Sequence, residues 1–303
     1  MHAPIPRRSA LVKMTAGVSA LALTGALPRP AFAAEQTAPK LKGNIHHSVC
    51  KWCYKMSLDD LCKVAKELGL GSVELLGNDA VPTLKKYDLH CAMCGGVSVG
   101  PEKIGTLENA WNRPENHDAL VGAYTKRIDE VAAAGFENVI CFSGNRKGLS
   151  DEQGIANMVA GLRRIMSHAE GEKVTVCLEM LNSRVPVHMK GHPDYFCDRI
   201  EIAAEVCRGV ASERMKILFD IYHVQIMEGD VITRIRQFAP LIAHYHTAGN
   251  PGRNEIDDTQ EIHYPGIMRA IVETGYKGHV GHEFIPTRDE VSALREGVAA
   301  CDV

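Results

Sequence analysis

The sequence predicts an α/β protein of the (β/α)8 class, a TIM barrel, on the basis of two observations. Short apolar runs of β-type composition alternate with amphipathic helical segments over about 260 residues, and eight such units fill a barrel. In addition, residues 50–57, which follow the first predicted strand, contain no glycine. A doubly wound open sheet usually carries a glycine-rich phosphate turn at that point, so we favour the closed barrel.

The predicted strands are apolar runs bounded by turn residues, and the predicted helices are amphipathic segments with capping residues. The strands cover residues 44–50, 72–76, 89–94, 138–142, 174–180, 216–221, 242–247 and 279–284. The helices cover residues 57–70, 116–136, 150–171, 194–210, 231–240, 260–276 and 288–300. Ser57 and Ser150 each precede acidic residues at a helix start, as N-caps do.

Residues 1–33 differ from the rest of the chain and predict a cleavable signal peptide. They contain four basic residues and no acid, followed by the small-x-small sequence Ala31-Phe32-Ala33. Their apolar segment, residues 16–27, is too short to span a bilayer stably. Arg7-Arg8 precedes this segment, as in a twin-arginine export signal. An ordinary secretory signal is the alternative, and either signal predicts an exported protein in the periplasm or another extracytoplasmic space.

The rest of the chain is expected to form one domain. We expect a loose N-terminal segment over residues 34–42 and a single barrel over residues 43–303, with no stable membrane span. Hydrophobic residues make up 45% of the sequence and charged residues 23%, which is ordinary for a soluble globular protein. Removal of the signal peptide lowers the formal net charge from −3 to about −7, which disfavours nucleic acid as a partner.

The ten cysteines include two CxxC pairs, Cys50 with Cys53 and Cys91 with Cys94. Paired CxxC motifs can hold a structural zinc ion. However, these two motifs are far apart for a zinc ribbon, and residues three apart on a strand face opposite ways. The pairs could be reduced, disulfide-bonded or metal-bound, and the other six cysteines are expected to be small core residues.

A barrel places its chemistry at the carboxyl ends of its strands, and the last four predicted strands end in polar residues. These residues are Glu179, Asp220, His246 and Glu283. Three carboxylates that converge on one barrel mouth repel each other unless a cation lies among them. The oxygen and nitrogen set suits Mn²⁺ or Mg²⁺, with Co²⁺ also compatible, so we predict one divalent cation. The alternative role for Asp220 is the N-cap of a short helix that begins near Tyr222.

Three other residues near strand ends are candidates for a place in or behind the site. Trp52 follows the first strand and could form an apolar wall over the substrate. Glu74 ends the second strand and could contact substrate or cap the following turn. His244 shares a strand face with His246 and is expected one layer deeper in the barrel.

Four segments of the second half resemble one enzyme family. They read CLEMLNSR, LFDIYHVQIMEGD, AHYHTAGNPGRNEID and GYKGHVGHEFIPTRD. They are similar to segments of the hydroxypyruvate isomerase family, which belongs to the xylose isomerase-like barrels together with ketose 3-epimerases and inosose dehydratases. The resemblance covers about residues 43–298 and is strongest from 174 to 288.

The resemblance assigns roles to seven residues. It implies that Glu179, Asp220, His246 and Glu283 bind the divalent metal, and that Glu179 and Glu283 also transfer protons. It further implies that the substrate is contacted by His223, Arg253 and Arg184.

Two positions depart from the family patterns. His246 stands where hydroxypyruvate isomerases carry Gln, as it does in the epimerases. Val185 stands where epimerases carry a further Glu.

These observations predict a divalent-metal-dependent isomerase that converts a small hydroxy-carbonyl compound, such as hydroxypyruvate to tartronate semialdehyde. The metal would polarise the carbonyl and stabilise an enediolate, while the two glutamates move the proton. Arg253 would hold a substrate carboxylate. The alternatives are an epimerase or dehydratase of a sugar or cyclitol, and a non-catalytic exported sugar-binding barrel. The expected partner is a small molecule, and a homo-oligomer remains open.

Overall fold

The computed structural model describes residues 40–303. The predicted signal peptide, residues 1–33, and residues 34–39 of the predicted loose segment lie outside the described residues. The described chain forms one parallel sheet in which the strands lie side by side in the order β2-β1-β7-β6-β5-β4-β3. The strands are β1 (His46–Cys50), β2 (Ser72–Glu74), β3 (Asn138–Cys141), β4 (Thr175–Glu179), β5 (Met215–Asp220), β6 (Ile242–Thr247) and β7 (His279–His282).

The third predicted strand, residues 89–94, forms isolated bridges instead of a regular strand. His90 and Cys94 bridge to β2 and its following residues, and Cys94 also bridges to Val139 of β3. A regular ladder is interrupted because the Ala92 amide donates to the hydroxyl of Ser72 rather than to a main-chain carbonyl. This segment therefore lies between the two edge strands and closes the barrel as its eighth, irregular member.

Helices cover the outside of the sheet. In the described chain they are α1 (Leu58–Glu67), α2 (Val81–Lys86), α3 (His117–Ala134), α4 (Asp151–Glu172), α5 (Ile200–Val210), α6 (Ile221–Met227), α7 (Val231–Phe238), α8 (Tyr264–Glu273) and α9 (Glu290–Cys301). The two serine N-caps are confirmed, because the Ser57 hydroxyl accepts from the Asp60 amide and Ser150 forms a capping box with Gln153.

The predicted start of α5 at residue 194 is wrong by six residues. Residues 195–197 are buried and bond to the loop after β3: the Phe196 amide donates to the Gly144 carbonyl at 2.9 Å, and the Cys197 amide donates to the Ser143 hydroxyl at 3.0 Å. These tertiary hydrogen bonds take the place of the first helical turn.

The barrel interior beneath the ends of β4 and β5 is filled by apolar side chains. A small cluster inside the barrel contains Met93, Ile140, Cys177 and Leu218. Since residues two apart on a strand face the same side, Cys177 lies below Glu179 and Leu218 lies below Asp220. The two acids therefore lie directly above a layer of buried apolar side chains that excludes water.

All ten cysteines are buried free thiols. Among the described residues, no group of side chains that could hold a metal ion contains both cysteines of a CxxC pair. Of residues 40–303, none lies in a helix long and apolar enough to cross a bilayer.

Candidate active site

The carboxyl ends of four neighbouring strands bring Glu179, Asp220, His246 and Glu283 together. One ligand atom of each side chain lies within 4.8 Å of the others, and all four residues are buried. Glu179 and Asp220 end β4 and β5, His246 is the last residue but one of β6, and Glu283 directly follows β7. Because adjacent parallel strands end at the same edge of a sheet, their terminal side chains point into one space.

The electrostatics of this group favour a cation among its members. His246 Nδ1 lies 3.4 Å from Glu179 Oε1 and 3.0 Å from Glu283 Oε2. Neither His246 Nδ1 nor Glu179 Oε1 has a hydrogen-bond partner among residues 40–303. Burial and the neighbouring Glu283 raise the pKa of Glu179 to about 7, and burial raises the pKa of Asp220 to about 6. These buried acceptors and the mixed oxygen and nitrogen donors fit a divalent ion.

Asp220 caps a helix and also lies in the ligand group, so its two predicted roles are compatible. Its Oδ1 accepts from the Tyr222 amide at 2.8 Å and the His223 amide at 3.3 Å, so it caps α6. Its Oδ2 lies 3.3 Å from Arg253 Nη2. One carboxylate oxygen thus fixes the side chain to the backbone, and the other remains in the site.

Arg253 lies inside the ligand group instead of on a solvated loop. Its Nη2 donates to Glu283 Oε2 at 2.5 Å and to Asp220 Oδ2 at 3.3 Å, and its Nη1 donates to the Met189 carbonyl at 2.7 Å. The guanidinium stacks 5.2 Å from the centre of the Trp52 ring. Although burial opposes it, His246 and Arg253 hold the pKa of Glu283 well below its ordinary value.

These contacts bear on the predicted role of Arg253. Both terminal nitrogens already have partners, so a two-point grip on a substrate carboxylate would require exchange of these contacts.

His223 adjoins the group with a defined tautomer. Its Nδ1 accepts from the Asn182 amide at 2.9 Å, which leaves the proton on Nε2. Burial lowers the pKa of His223 well below its ordinary value, so the ring is neutral. Nε2 lies 3.6 Å from Asp220 Oδ2 and has no hydrogen-bond partner in the described chain. It therefore offers one free donor beside the ligand group.

Arg184 is not brought to the ligand group. Its side chain is exposed, and its Nη1 donates to the Ile226 carbonyl at 2.8 Å. Its predicted contact with substrate stays a prediction.

Glu74 is the functional residue whose role the sequence did not reveal. It neither faces the cavity nor caps a turn, because its carboxylate points across the barrel interior. Its Oε1 lies 2.9 Å from His246 Nε2 and 3.1 Å from His244 Nε2. Its Oε2 accepts from the Ser48 hydroxyl at 3.0 Å.

The contact with Glu74 determines the tautomer of His246. Although burial opposes it, the two histidines hold the pKa of Glu74 well below its ordinary value, so the side chain is a carboxylate. It accepts the Nε2 proton of His246, so a neutral His246 that binds a metal ion would use its Nδ1 lone pair, on the side of Glu179 and Glu283. Histidine ligands of metals are commonly oriented in this way by a carboxylate.

Gly281 of β7 makes room for the Glu74 carboxylate. A Cβ atom at position 281 would lie 1.9 Å from Glu74 Oε1 and 2.8 Å from His246 Cδ2. A glycine inside a strand often marks such a close approach, and this is the sequence signal that could have located the contact.

Cys50, Glu74 and His246 form a second group of potential ligand atoms within 4.8 Å. Burial raises the pKa of Cys50 well above its ordinary value, so the sulfur is a thiol that donates to Glu74 Oε1 at 3.3 Å. The group is therefore a hydrogen-bond network behind His246.

A cavity of about 200 Å³ adjoins the ligand group and is lined by two of its members, Glu179 and Glu283. Its volume is below the roughly 300–1,000 Å³ of drug-sized ligand sites, so it suits a small molecule. Trp52 lines it, as the sequence predicted, and its indole Nε1 donates to Glu283 Oε1 at 2.8 Å. The other lining residues are Leu75, Gly95, Gly96, Leu107, Ile140, Phe142, Glu179, Leu181, Met189, His192, Arg253 and Glu283.

Comparison with known proteins identifies the family to which the sequence is similar. The family model for xylose isomerase-like TIM barrels matches residues 62–301. The chain is 35% identical over 118 residues to a 2-oxo-tetronate isomerase of Cupriavidus necator, a match that covers 39% of this chain and 43% of that protein. It is 28% identical over 211 residues to the hydroxypyruvate isomerase of Escherichia coli K12, covering 69% of this chain and 77% of that protein.

The chain spans about half the length of the first curated relatives that it matches. Among solved structures, an AP endonuclease of family 2 from Brucella melitensis superposes with a TM-score of 0.70 at 23% identity, over 82% of this chain and 97% of that one. A likeness at that identity supports the fold.

The contact between Glu74 and His246 predicts an effect on metal binding. Glu74→Gln keeps the side-chain shape but removes the charge that fixes the His246 tautomer. Mn²⁺ affinity, measured by isothermal titration calorimetry, should fall about 10- to 100-fold. Glu213→Gln, an exposed control, should change it by no more than about twofold. An unchanged affinity in folded Glu74→Gln protein would contradict this role.

The close approach at Gly281 predicts a second effect on metal binding. Gly281→Ala places a methyl group on the Glu74 carboxylate, so Glu74 must shift and Mn²⁺ affinity should fall by about tenfold or more. Gly122→Ala in α3 is the matched control, because its Cβ would meet no atom within 4 Å. Equal affinities for the two variants in the same titration would refute the argument.

Proposed function

Since the chain belongs to the family of xylose isomerase-like TIM barrels, we propose that it is a divalent-metal-dependent isomerase of a small hydroxy-carbonyl compound. The observation that carries this proposal is the convergence of Glu179, Asp220, His246 and Glu283 beside a small cavity. The relatives named hydroxypyruvate isomerase and 2-oxo-tetronate isomerase support the reaction class. Both names state the isomerisation of a short 2-oxo acid.

The four converging side chains would hold the metal. Their hard oxygen donors and single imidazole suit Mn²⁺ or Mg²⁺, and Co²⁺ is compatible. A bound divalent ion would polarise the substrate carbonyl and so acidify the neighbouring C–H bond.

Glu179 and Glu283 are the proposed proton-transfer groups. Both line the cavity, and in Glu179 one carboxylate oxygen would bind the metal while the other takes the proton. Without a metal ion, burial and the neighbouring Glu283 raise the pKa of Glu179 to about 7, and a bound cation would lower it and keep the side chain a carboxylate base. Glu283 accepts hydrogen bonds from Trp52 and Arg253, which fix the orientation of its carboxylate.

Two neutral histidines are the proposed contacts to substrate oxygens. His223 offers the unpartnered Nε2 donor beside Asp220. His192 lines the cavity, and burial lowers its pKa to about 4, so it can donate or accept without carrying charge. Arg253 acts mainly by orienting Glu283, given the contacts of its terminal nitrogens.

An epimerase or dehydratase that uses the same ligands is the second candidate. The observation in its favour is His246, which resembles the third ligand of the epimerases. Val185 in place of a further Glu argues against a complete ketose epimerase site. A non-catalytic sugar-binding barrel would retain ligand affinity in the variant tested below and would show no turnover in the parent protein.

We also propose that residues 1–33 direct export. The support is the sequence itself, with four basic residues, no acid and an Ala-Phe-Ala site before Ala34. Export would place the enzyme outside the cytoplasm.

The proton-transfer role predicts loss of exchange in Glu179→Gln. The variant keeps the side-chain volume but lacks a base, so deuterium incorporation from solvent into hydroxypyruvate should fall by about 100-fold or more, as followed by NMR. Glu172→Gln, exposed at the end of α4, should keep the parent rate. Chelation should abolish exchange in the parent protein, and Mn²⁺ should restore it.

Two outcomes would contradict the isomerase proposal. One is retained exchange in Glu179→Gln. The other is absence of exchange by the parent protein on a panel of hydroxy ketones and keto acids with Mn²⁺, Mg²⁺ and Co²⁺.

The export proposal predicts a shortened N-terminus. Full-length protein expressed in a bacterium with a twin-arginine pathway should be recovered outside the cytoplasm with Ala34 first, as determined by mass spectrometry. The double change Arg7→Lys and Arg8→Lys should keep the precursor inside, whereas Lys13→Arg should not. Export of the double variant would favour an ordinary secretory signal, and an uncleaved cytoplasmic product in all cases would refute export.

A further inference from the structure

The barrel mouth is divided into two halves of opposite character. The strands β4 to β7 supply the acids and the histidine described above. The other half is built from β2, the irregular segment and β3, and its cavity-lining side chains are apolar. Leu75 follows β2, Ile140 and Phe142 come from the end of β3, and Leu107 comes from the loop before α3. Leu181 and Met189, from the loop after β4, extend this apolar wall.

The apolar wall offers nothing to pair with a hydroxyl group. Among the described residues that line the cavity, there is no serine, threonine, tyrosine, asparagine or glutamine. Of the polar lining side chains, Glu179, Arg253 and Glu283 belong to or contact the ligand group, His192 is the proposed contact to the reacting oxygens, and the indole NH of Trp52 is already bonded to Glu283. A polyhydroxylated chain that reached the wall would bury hydroxyl groups without partners, which is unfavourable.

The wall also offers no charge to a carboxylate. Arg253 is the one cation among the described lining residues, and its terminal nitrogens contact Glu283, Asp220 and the Met189 carbonyl. Two of the lining residues, Glu179 and Glu283, are acids, and they would repel a carboxylate carried by the substrate. A charged group placed between Leu107 and Phe142 would therefore be desolvated without compensation.

We propose that the substrate is a short α-hydroxy ketone or aldehyde whose end remote from the reacting carbons is an uncharged, compact alkyl group. This inference rests on the proposed isomerase function and names the substrate class of the same site. The hydroxy-carbonyl end lies at the ligand group, and the alkyl end packs against Leu75, Leu107 and Phe142.

The reaction on such a substrate balances without any further reactant. A ketone R–CO–CH₂OH loses a proton from C1 to the Glu179 carboxylate, and a proton is returned to C2. One proton also moves from the C1 oxygen to the C2 oxygen, and the product is R–CHOH–CHO. The R group takes no part in the bond changes. The enzyme's preference for one R group over another therefore reports on the cavity wall.

Two hydroxy ketones of matched shape test the inference. Hydroxypyruvate carries a carboxylate as R, and 1-hydroxy-3-methylbutan-2-one carries an isopropyl group of the same branching. With the Mn²⁺-loaded protein, kcat/KM for deuterium exchange at C1 should be about tenfold or more higher for the isopropyl compound. Erythrulose, whose R group is a diol, should also exchange more slowly than the isopropyl compound. Trp52 fluorescence gives the affinity for each compound independently of turnover.

A charge placed in the wall should reverse the preference. Leu107→Lys puts an ammonium group at the apolar end from a partly exposed loop position, so the ratio of the two kcat/KM values should shift towards hydroxypyruvate by about tenfold or more. Val187→Lys adds the same charge at an exposed valine that does not line this cavity, and it should leave the ratio within about twofold.

The outcomes separate the two proposals. Exchange that favours hydroxypyruvate or erythrulose in the parent protein overturns the inference and leaves the isomerase function standing. Tighter binding of the isopropyl compound without exchange of any compound supports the apolar wall and overturns the isomerase function. Equal shifts in Leu107→Lys and Val187→Lys overturn the assignment of the preference to the wall.

Discussion

Three buried carboxylates around one imidazole are the constraint that organises this barrel. Glu179, Asp220 and Glu283 lie too deep for water to screen their mutual repulsion, and burial raises the pKa of two of them. Arg253 places a guanidinium against Asp220 and Glu283, and the backbone amides of α6 bond to the other oxygen of Asp220. Neither contact satisfies Glu179 Oε1, which is the acceptor that most clearly calls for a cation.

The chemistry of His246 depends on the opposite side of the barrel. The Glu74 carboxylate crosses the interior to reach His246 Nε2, and it can do so only because position 281 lacks a Cβ atom. A carboxylate that is itself buried and bonded to Ser48 and His244 cannot easily reorient. When the imidazole is neutral, it can therefore present only its Nδ1 lone pair to a metal ion in the ligand group, which is a form of preorganisation.

The division of the mouth into polar and apolar halves links the fold to specificity. The polar half contains the groups proposed to bind the cation and transfer protons, and the buried apolar side chains of Cys177 and Leu218 below them strengthen their electrostatic interactions. The apolar half excludes water without adding hydrogen-bond donors. Specificity in such a cavity comes from the cost of leaving polar groups unpaired, so the wall selects against polar substrates more strongly than it selects for apolar ones.

The sequence by itself determined the barrel alternation, the serine caps and the acids and histidine at the last four strand ends, because these depend on local periodicity and strand position. Tertiary structure decided the irregular third strand, where the Ser72 hydroxyl replaces a ladder bond, and the late start of α5. It also decided the contact of Glu74 with His246, which are 172 residues apart, and the placement of Arg253 among the acids. Periodicity indicates which face a side chain occupies, but only closure of the barrel determines which distant side chains meet across its interior.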